Sequence, residues 1–209
     1  MRFALICFAL IEAALAGFSP EGQAAIVKAH NELRSAVANG KYVAKDTPLG
    51  PANNMRKLSW DNDLAKYAQS YADTCPEGHL KGDKDYGENL YWAYSSAPMN
   101  ELDPFGVKAS QRWEGEFKEF GYLCDTYTKK TNEFGIGHAT QMLWAETTLI
   151  GCGIKNCGKG GKKDMYTVAV VCRYRKPGNW INSNIYNKGE PCSKCPPGTK
   201  CEKETGLCV

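Results

Sequence analysis

The sequence lacks the features of a membrane protein or a nucleic-acid-binding protein. Beyond the N-terminus, no stretch of the 209 residues reaches 18 consecutive apolar residues, so no integral membrane segment is expected there. Lysine and arginine exceed aspartate and glutamate by only three, and this small, evenly spread excess does not favour a nucleic acid as the partner. Repeats and low-complexity tracts are absent from the sequence. With 43% hydrophobic and 23% charged residues, the composition is that of a globular protein.

The N-terminus has the pattern of a secretory signal peptide. Met1 and Arg2 form a short basic start, residues 3–15 are apolar apart from Glu12, and a small-x-small cleavage site ends at Ala16. The alternative interpretation is a buried N-terminal helix. We predict a signal peptide at residues 1–16 and a secreted, extracellular protein.

The chain is rich in cysteine, with ten residues. Removal of the signal peptide takes Cys7 and leaves nine, which in an oxidising compartment are expected to form disulfides before they bind metal. Because nine is odd, at least one thiol is free or pairs between molecules. Four cysteines follow Pro191 in a segment too small to build its own core. We therefore predict one α+β domain at residues 17–188 and a disulfide-rich tail at residues 189–209.

Local patterns predict two helices in the first third of the chain and a hairpin near its end. The first helix is capped by Ser19 and stops at Gly40, and the second begins near Ser59. Two β-rich segments, 149–154 and 166–174, flank a turn rich in glycine and lysine, which is typical of a β-hairpin.

A third helix is predicted to open at Asp103 and contains an anomaly. Helical spacing aligns Ala109, Trp113, Glu116 and Phe120 on one stripe. A carboxylate on the stripe that should face the core needs a functional or structural reason, and it marks Glu116 as a candidate site residue.

The chain has only three histidines, His30, His79 and His138. His79 and His138, together with Glu88 and Glu116, could converge on a divalent ion such as zinc or magnesium. No two of them form a short ligand motif such as H-E-x-x-H. The alternative is a polar cluster that ties loops to helices without a metal.

Four ordered motifs identify a family resemblance. They are H-N-x-x-R at residues 30–34, G-E-N-L at 87–90, G-H-x-T-Q-M-x-W at 137–144 and V-C-x-Y-x-x-P-G-N-W at 171–180. With these motifs the chain resembles the CAP superfamily (SCP/TAPS proteins). Within it, the chain is most similar to the nematode venom-allergen-like and activation-associated secreted proteins.

The resemblance implies a fold and a site. The implied fold is an α-β-α sandwich with a three-stranded antiparallel sheet, followed by a hinge-like tail. The implied central cleft contains His79, Glu88, Glu116 and His138 and can hold zinc or magnesium. His30 lies outside this set and is expected to be structural. Ala139 departs from the family pattern, which usually has a bulky residue there, and we expect a looser cleft wall.

The resemblance also implies disulfide pairs. It pairs Cys75 with Cys157 and Cys152 with Cys172, and in the tail Cys192 with Cys201 and Cys195 with Cys208. A third family bridge is missing here, because its two positions are occupied by Tyr86 and Arg175. Cys124 is left over, as a buried free thiol or as the link of a dimer.

The expected function is that of a non-enzymatic binding or effector protein. Relatives bind sterols through a loop that corresponds here to Tyr91, Trp92, Tyr94 and Met99, and they bind fatty acids between two helices. Tyr91 and Trp92 could instead belong to the core. The resemblance also implies action on host proteins, host tissue or host immunity.

The alternative function is an extracellular hydrolase with His138 as base, assisted by Glu116 or Glu88. No serine stands in a G-x-S-x-G context, so the sequence favours binding over catalysis.

Overall fold

The computed structural model describes residues 17–82, 85–160 and 164–209. The predicted signal peptide and part of the predicted glycine-lysine turn lie outside the described residues. The helices of this part are α1 (Pro20–Ala38), α2 (Asn62–Ala72), α3 (Pro104–Phe120), α4 (Lys129–Glu133) and α5 (Gly137–Leu143). The strands are β1 (Val43–Ala44), β2 (Thr47–Pro48), β3 (Ser59–Trp60), β4 (Gly87–Ser95), β5 (Thr126–Tyr127), β6 (Leu149–Lys159), β7 (Tyr166–Arg175), β8 (Ser183–Asn184), β9 (Cys201–Glu202) and β10 (Leu207–Cys208).

The central sheet has the strand order β3-β6-β7-β4. β6 and β7 form the predicted antiparallel hairpin, and β4 pairs with the other edge of β7. To these three long antiparallel strands the structure adds β3, a two-residue strand parallel to β6. The expected mixed α+β class is confirmed.

Helices cover both faces of this sheet. α2 packs against β6 and β7, while α1, α3 and α5 pack against one another, with α3 also contacting β4 and β7. Side chains alternate accordingly along β7, since Val171 packs with α2 residues whereas Val170 and Cys172 belong to the main core. The two faces of β7 thus pack against two different layers of helices.

Two glycines allow α2 to lie very close to the sheet. A Cβ atom on Gly151 would lie 2.2 Å from the backbone nitrogen of Ala65, and one on Gly153 would lie 2.3 Å from Cα of Gln69. Real side chains do not reach such distances, so the G-C-G sequence of β6 is a requirement of helix-to-sheet packing.

Helix α1 forms where the sequence predicts it. Ser19 accepts a hydrogen bond from the backbone N–H of Gly22, Pro20 occupies the first turn, and Gly40 follows with φ 64°. Its buried residues include Ile26 and His30. The signals are local to the helix, which explains why the prediction is confirmed.

Two sequence-based expectations about helices are wrong in detail. The second helix begins at Asn62 after the N-cap Asp61, because Ser59 is taken into β3. On α3, Phe117 is buried with Trp113, whereas Phe120 is 40% exposed. The eleven residue steps from Ala109 to Phe120 make about three full turns, so Phe120 stays on the stripe; it is exposed at the last residue of α3.

The tail is fixed to the domain by packing, by an ion pair and by hydrogen bonds. Leu207 is fully buried and belongs to the main core. Lys57 forms an ion pair of 2.7 Å with Glu202, and the Ser35 hydroxyl donates to the carbonyl of Thr205. None of the helices within the described residues has the length and apolar character needed to cross a bilayer.

Candidate functional site

The four predicted site residues meet at one cleft of about 640 Å³. His79 comes from the loop after α2, Glu88 from β4, Glu116 from α3 and His138 from the first turn of α5. These residues are separated by up to 59 positions along the chain. They are neighbours because the start of β4, the C-terminal part of α3 and the start of α5 lie at the same place.

The first imidazole is held by a carboxylate. His79 Nδ1 lies 2.9 Å from Glu88 Oε1, which also accepts a hydrogen bond from the backbone N–H of Leu80. The other oxygen of Glu88 lies 3.5 Å from Nη2 of Arg173. Both oxygens of Glu88 are thus engaged from within the protein.

The second imidazole is held in the same way. His138 Nδ1 lies 2.5 Å from Glu116 Oε1, and Glu116 Oε2 accepts the backbone N–H of Ala139. The ring of His138 also stacks on Trp113, with centroids 6.2 Å apart and planes 15° from parallel. Glu116, the apparent anomaly of the α3 stripe, is therefore the group that fixes His138.

The imidazoles and the carboxylates occupy different depths. The side chains of His79 and His138 are 59% and 34% exposed, whereas those of Glu88 and Glu116 are only 12% and 14% exposed. The two rings lie nearly parallel with centroids 6.4 Å apart. Two imidazoles accordingly face the solvent, each supported from below by a carboxylate.

A buried hydrogen-bond chain connects α1 to this cleft. His30 Nδ1–H donates to the carbonyl of Ile26, and its Nε2 accepts from the hydroxyl of Tyr174. That hydroxyl accepts from Asn89, whose amide also donates to the carbonyl of His138. Burial, with a smaller contribution from the charge of Arg34, lowers the pKa of His30 to about 4. His30 is therefore neutral at pH 7, and it supports the cleft from inside the core.

Arg34 was not selected as a site residue from the sequence, yet it organises the segment after α5. Its guanidinium donates to five backbone carbonyl groups at 2.7–3.1 Å, those of Arg56, Met142, Trp144, Ala145 and Thr147. Burial lowers its pKa to about 9, so the charge persists at pH 7. A charged residue on the inner face of α1, one position after Leu33, was the available sequence signal.

Three of the sequence motifs meet at Gln141. Its side-chain oxygen accepts the backbone N–H of Gly178 at 2.8 Å. A Cβ atom on Gly87 would lie 2.0 Å from this oxygen, and one on Gly178 would lie 2.9 Å from the amide nitrogen. The glycines of G-E-N-L and P-G-N-W leave room for the glutamine of G-H-x-T-Q-M-x-W.

The cleft also contains polar residues that the sequence analysis did not select. Tyr127, Asn132 and Asn179 line it with Arg173. The Tyr127 hydroxyl donates to Asn132 at 2.9 Å, and Asn179 donates to the carbonyl of Gly137 at 2.8 Å. Tyr127 lies in the two-residue strand β5, Asn132 in the five-residue helix α4 and Asn179 in a loop, and such short elements show no periodicity in the sequence. Ala139 is completely buried in the core, so it does not form part of the cleft wall.

The four residues expected in a sterol-binding loop do not face one cavity. Tyr91 packs on the main core, whereas Trp92 packs on the opposite face of β4 with residues of α2. Tyr94 is exposed, and Met99 is partly buried against the main core. A separate cavity of about 480 Å³ lies between α1 and α3, with Ala29, Leu33 and Val107 among its lining residues.

The cysteines form four disulfides, and the pairs are the ones that the resemblance implies: Cys75–Cys157, Cys152–Cys172, Cys192–Cys201 and Cys195–Cys208. Cys124 is a half-buried free thiol that donates to the carbonyl of Thr126. At the missing family bridge, the guanidinium of Arg175 lies 5.4 Å from the ring centre of Tyr86. A cation–π contact therefore joins the two strands where a disulfide is absent.

Within residues 17–82, 85–160 and 164–209, the only cluster with three potential metal-ligand atoms closer than 4.8 Å to one another is formed by tail cysteines. These are Cys192, Cys195 and Cys208, all of them in disulfides, so they offer no thiolate. The remaining metal candidate is the cleft, which contributes two imidazoles.

Comparison with known proteins places this architecture in a family. Residues 27–174 match the model of CAP, the cysteine-rich secretory protein family. The chain belongs to the CAP family. This confirms the expected family, and the structural neighbours are nematode venom-allergen-like proteins. Four disulfides and the kinship with secreted proteins indicate an extracellular CAP protein.

Individual relatives support the assignment. Venom allergen 5 from Tityus serrulatus is 34% identical over 191 residues, which are 88% of this chain and 44% of the relative. Ancylostoma secreted protein from Ancylostoma caninum is 33% identical over 189 residues, 86% of this chain and 42% of the relative. The chain thus spans less than half the length of these relatives. The crystal structure of NaASP2 with Zn²⁺ has a TM-score of 0.81 and 34% identity, covering 92% of this chain and 97% of the other.

Proposed function

We propose that this CAP protein is a secreted, non-enzymatic binding protein whose cleft binds zinc through His79 and His138. The observation that carries the proposal is the pairing of each imidazole with a buried carboxylate at Nδ1. Zinc-binding histidines generally donate the second ring N–H to a carboxylate, which fixes the tautomer and directs Nε2 at the ion.

The free ring nitrogens favour this interpretation. No described residue donates to or accepts from Nε2 of His79 or His138, so these atoms can bind an ion. Imidazole ligands suit zinc better than magnesium, which prefers oxygen ligands. Glu88 and Glu116 already use both oxygens within the protein, so they act as partners of the imidazoles. Solvent or a bound molecule would then complete a tetrahedral shell. The solved NaASP2 structure with Zn²⁺ shows that a protein of similar fold has been crystallised with this ion.

Isothermal titration calorimetry with zinc tests the proposal. The wild-type protein should bind one zinc ion per chain, and the His79→Ala/His138→Ala double variant should lose this binding. Glu116→Gln should weaken zinc binding by about 10–100-fold, because the orientation of His138 is lost. Glu119→Gln is the matched control, since Glu119 lies on the same helix and pairs with Arg112 at the surface. One zinc ion retained by the double variant would place the metal elsewhere.

Lipid binding is the second candidate, and the cavity between α1 and α3 is the observation that favours it. Its lining combines apolar residues such as Leu33 and Val107 with Lys28 and Gln111, which suits a fatty acid with an apolar chain and a polar head. Ala29→Trp should fill the cavity and abolish binding of radiolabelled palmitate. A sterol at Tyr94 and Met99 is the alternative lipid, and Tyr94→Ala with Met99→Ala should reduce cholesterol binding only in that case.

The effector role on host proteins or host immunity rests on the family resemblance. A hydrolase is its competitor, either metal-dependent, with zinc at the two imidazoles as electrophile, or metal-free, with His138 as base. Incubation with a peptide library in the presence of zinc distinguishes the two. A binding protein should leave the library intact, whereas cleavage that a chelator abolishes and that the His138→Ala variant lacks would establish the hydrolase.

A dimer through Cys124 predicts a doubled mass on non-reducing gels, which Cys124→Ser should remove.

A further inference from the structure

A second polar cavity lies beside the cleft and plays no part in the proposed zinc site. It has a volume of about 370 Å³, near the lower end of the ~300–1,000 Å³ range of small-molecule sites. We call it the asparagine pocket. Its lining residues are Asn54, Trp144, Ala145, Glu146, Trp180, Asn182, Ser183, Asn184 and Asn187.

The segment 179–182 separates the asparagine pocket from the cleft. Asn179 and Ile181 line the cleft, whereas Trp180 and Asn182 line the asparagine pocket. Asn179 and Asn182 have φ values of 58° and 64°, a conformation that asparagine tolerates better than most residues. The alternation places the side chain of Trp180 on the side away from the two imidazoles.

Trp180 offers an exposed but oriented aromatic surface. Its side chain is 53% exposed, which is unusual for so large an apolar group. Its Nε1–H donates to the carbonyl of Pro177 at 2.9 Å. The polar edge of the indole is thus satisfied inside the protein, and what remains accessible is its apolar ring surface.

The asparagine side chains are oriented by a chain of hydrogen bonds. The hydroxyl of Thr126 donates to Asn184 Oδ1, Asn184 Nδ2 donates to Asn187 Oδ1, and the backbone N–H of Asn187 donates to Asn54 Oδ1. In the part of the chain that the structure describes, Nδ2 of Asn54 and Nδ2 of Asn187 have no hydrogen-bond acceptor. Each amide is therefore fixed at its oxygen and has two free N–H donors, so little conformational entropy is lost on binding.

The charge of the pocket limits the chemistry of its ligand. Glu146 is the one charged side chain among the lining residues. Its carboxylate would repel an anionic ligand, and the lining has no basic side chain to attract one. Apart from Trp180 and the buried Trp144, the wall offers amides, a hydroxyl and a carboxylate. Such a surface suits a ligand with many hydroxyl groups and one apolar face.

We propose that the asparagine pocket binds a neutral pyranose ring of a saccharide. The C–H face of the sugar stacks on Trp180. Its hydroxyl oxygens accept from Nδ2 of Asn54 and Asn187, and a hydroxyl group donates to the carboxylate of Glu146. This site is independent of the zinc cleft, and its ligand requires no metal.

The test uses three neutral oligosaccharides, chitotetraose, mannotriose and lactose, with a heparin tetrasaccharide as the acidic comparison. Binding is measured by saturation-transfer NMR and by quenching of tryptophan fluorescence. At least one neutral saccharide should bind saturably below about 10 mM, and the acidic one should bind more weakly. The His79→Ala/His138→Ala variant should bind the neutral saccharide like the wild type, which separates this proposal from the zinc site.

Two variants locate the sugar. Trp180→Ala should weaken the binding by roughly three- to tenfold, as expected for the loss of a stacked ring. Asn187→Leu has a similar volume and should also weaken it. The control is Tyr67→Ala, which removes another exposed aromatic residue (58% exposed) far from the pocket in sequence, and it should leave the affinity unchanged. Saturable binding of none of the neutral probes, or equal affinity in the wild type, Trp180→Ala and Asn187→Leu, would overturn the proposal.

Discussion

His30 should make the stability of the protein decrease in mild acid. In the folded chain its pKa is about 4, whereas in the unfolded chain it should have the ordinary value of about 6.5. A lowered histidine pKa means that the unfolded state binds the proton first. Neutral His30 therefore makes its full contribution to the free energy of unfolding above the pKa of the unfolded state. This contribution is lost as the pH falls from about 6.5 towards 4.

The magnitude follows from the two pKa values. Between pH 7 and pH 4.5, protonation of His30 in the unfolded state alone should remove roughly 2–3 kcal/mol from the free energy of unfolding. The structural cause is the network around the ring. A proton on Nε2 would displace the hydrogen bond from the Tyr174 hydroxyl, and the positive charge would be buried beside Arg34.

Urea unfolding of wild type and His30→Gln at both pH values measures this effect. His30→Gln should be less stable than wild type at pH 7 by about 1–3 kcal/mol, because it disturbs buried hydrogen bonds. Between pH 7 and 4.5, however, it should lose roughly 2–3 kcal/mol less than wild type. His79 and His138 are present in both proteins, so their protonation cancels in the comparison. Equal losses in the two proteins would show that His30 does not carry the acid sensitivity.

Five further variants test the arguments about packing and crosslinking. Arg34→Met and Arg34→Lys should each lower the free energy of unfolding by at least about 3 kcal/mol, since several buried carbonyls lose their donor; similar stability of Arg34→Lys and wild type would contradict this. Gly153→Ala should cost about 1–3 kcal/mol by forcing α2 from the sheet, whereas Gly115→Ala, in open space on α3, should be neutral or stabilising by up to about 1 kcal/mol. The double variant Tyr86→Cys/Arg175→Cys should form a disulfide detectable by mass spectrometry and gain about 2–4 kcal/mol, and a variant that stays reduced in air would show that the two positions are not aligned for a bridge.

Elements with local signals were predictable from the sequence. α1 has a capping serine, a proline in the first turn and a regular apolar face, and all of these lie within the helix itself. The hairpin of β6 and β7 was predictable because its strands are rich in β-branched residues and flank a glycine-rich turn. By contrast, α4 and α5 contain five and seven residues, too few for a helical period to show.

Only some of the site residues were predictable from the sequence, and the reason differs from one residue to the next. Glu116 stood out because a carboxylate on an apolar stripe breaks the helical pattern. His79 and His138 lie on a loop and on a seven-residue helix, so the family motifs, rather than any pattern, brought them together. The pairing of each imidazole with one carboxylate depends on distances of 2.5–2.9 Å, which only the assembled fold defines. Arg34 was missed because its partners are backbone carbonyls, which have no signature in the sequence.

Leu207 in the hydrophobic core has a consequence for how this protein can be cut or extended. A shortened version ending at residue 188 would have a hole at the position of that leucine, and such holes destabilise by about 2–5 kcal/mol. The C-terminal tail thus contributes to the hydrophobic core of the domain. Any module joined after Val209 would follow directly on β10, which contacts α1.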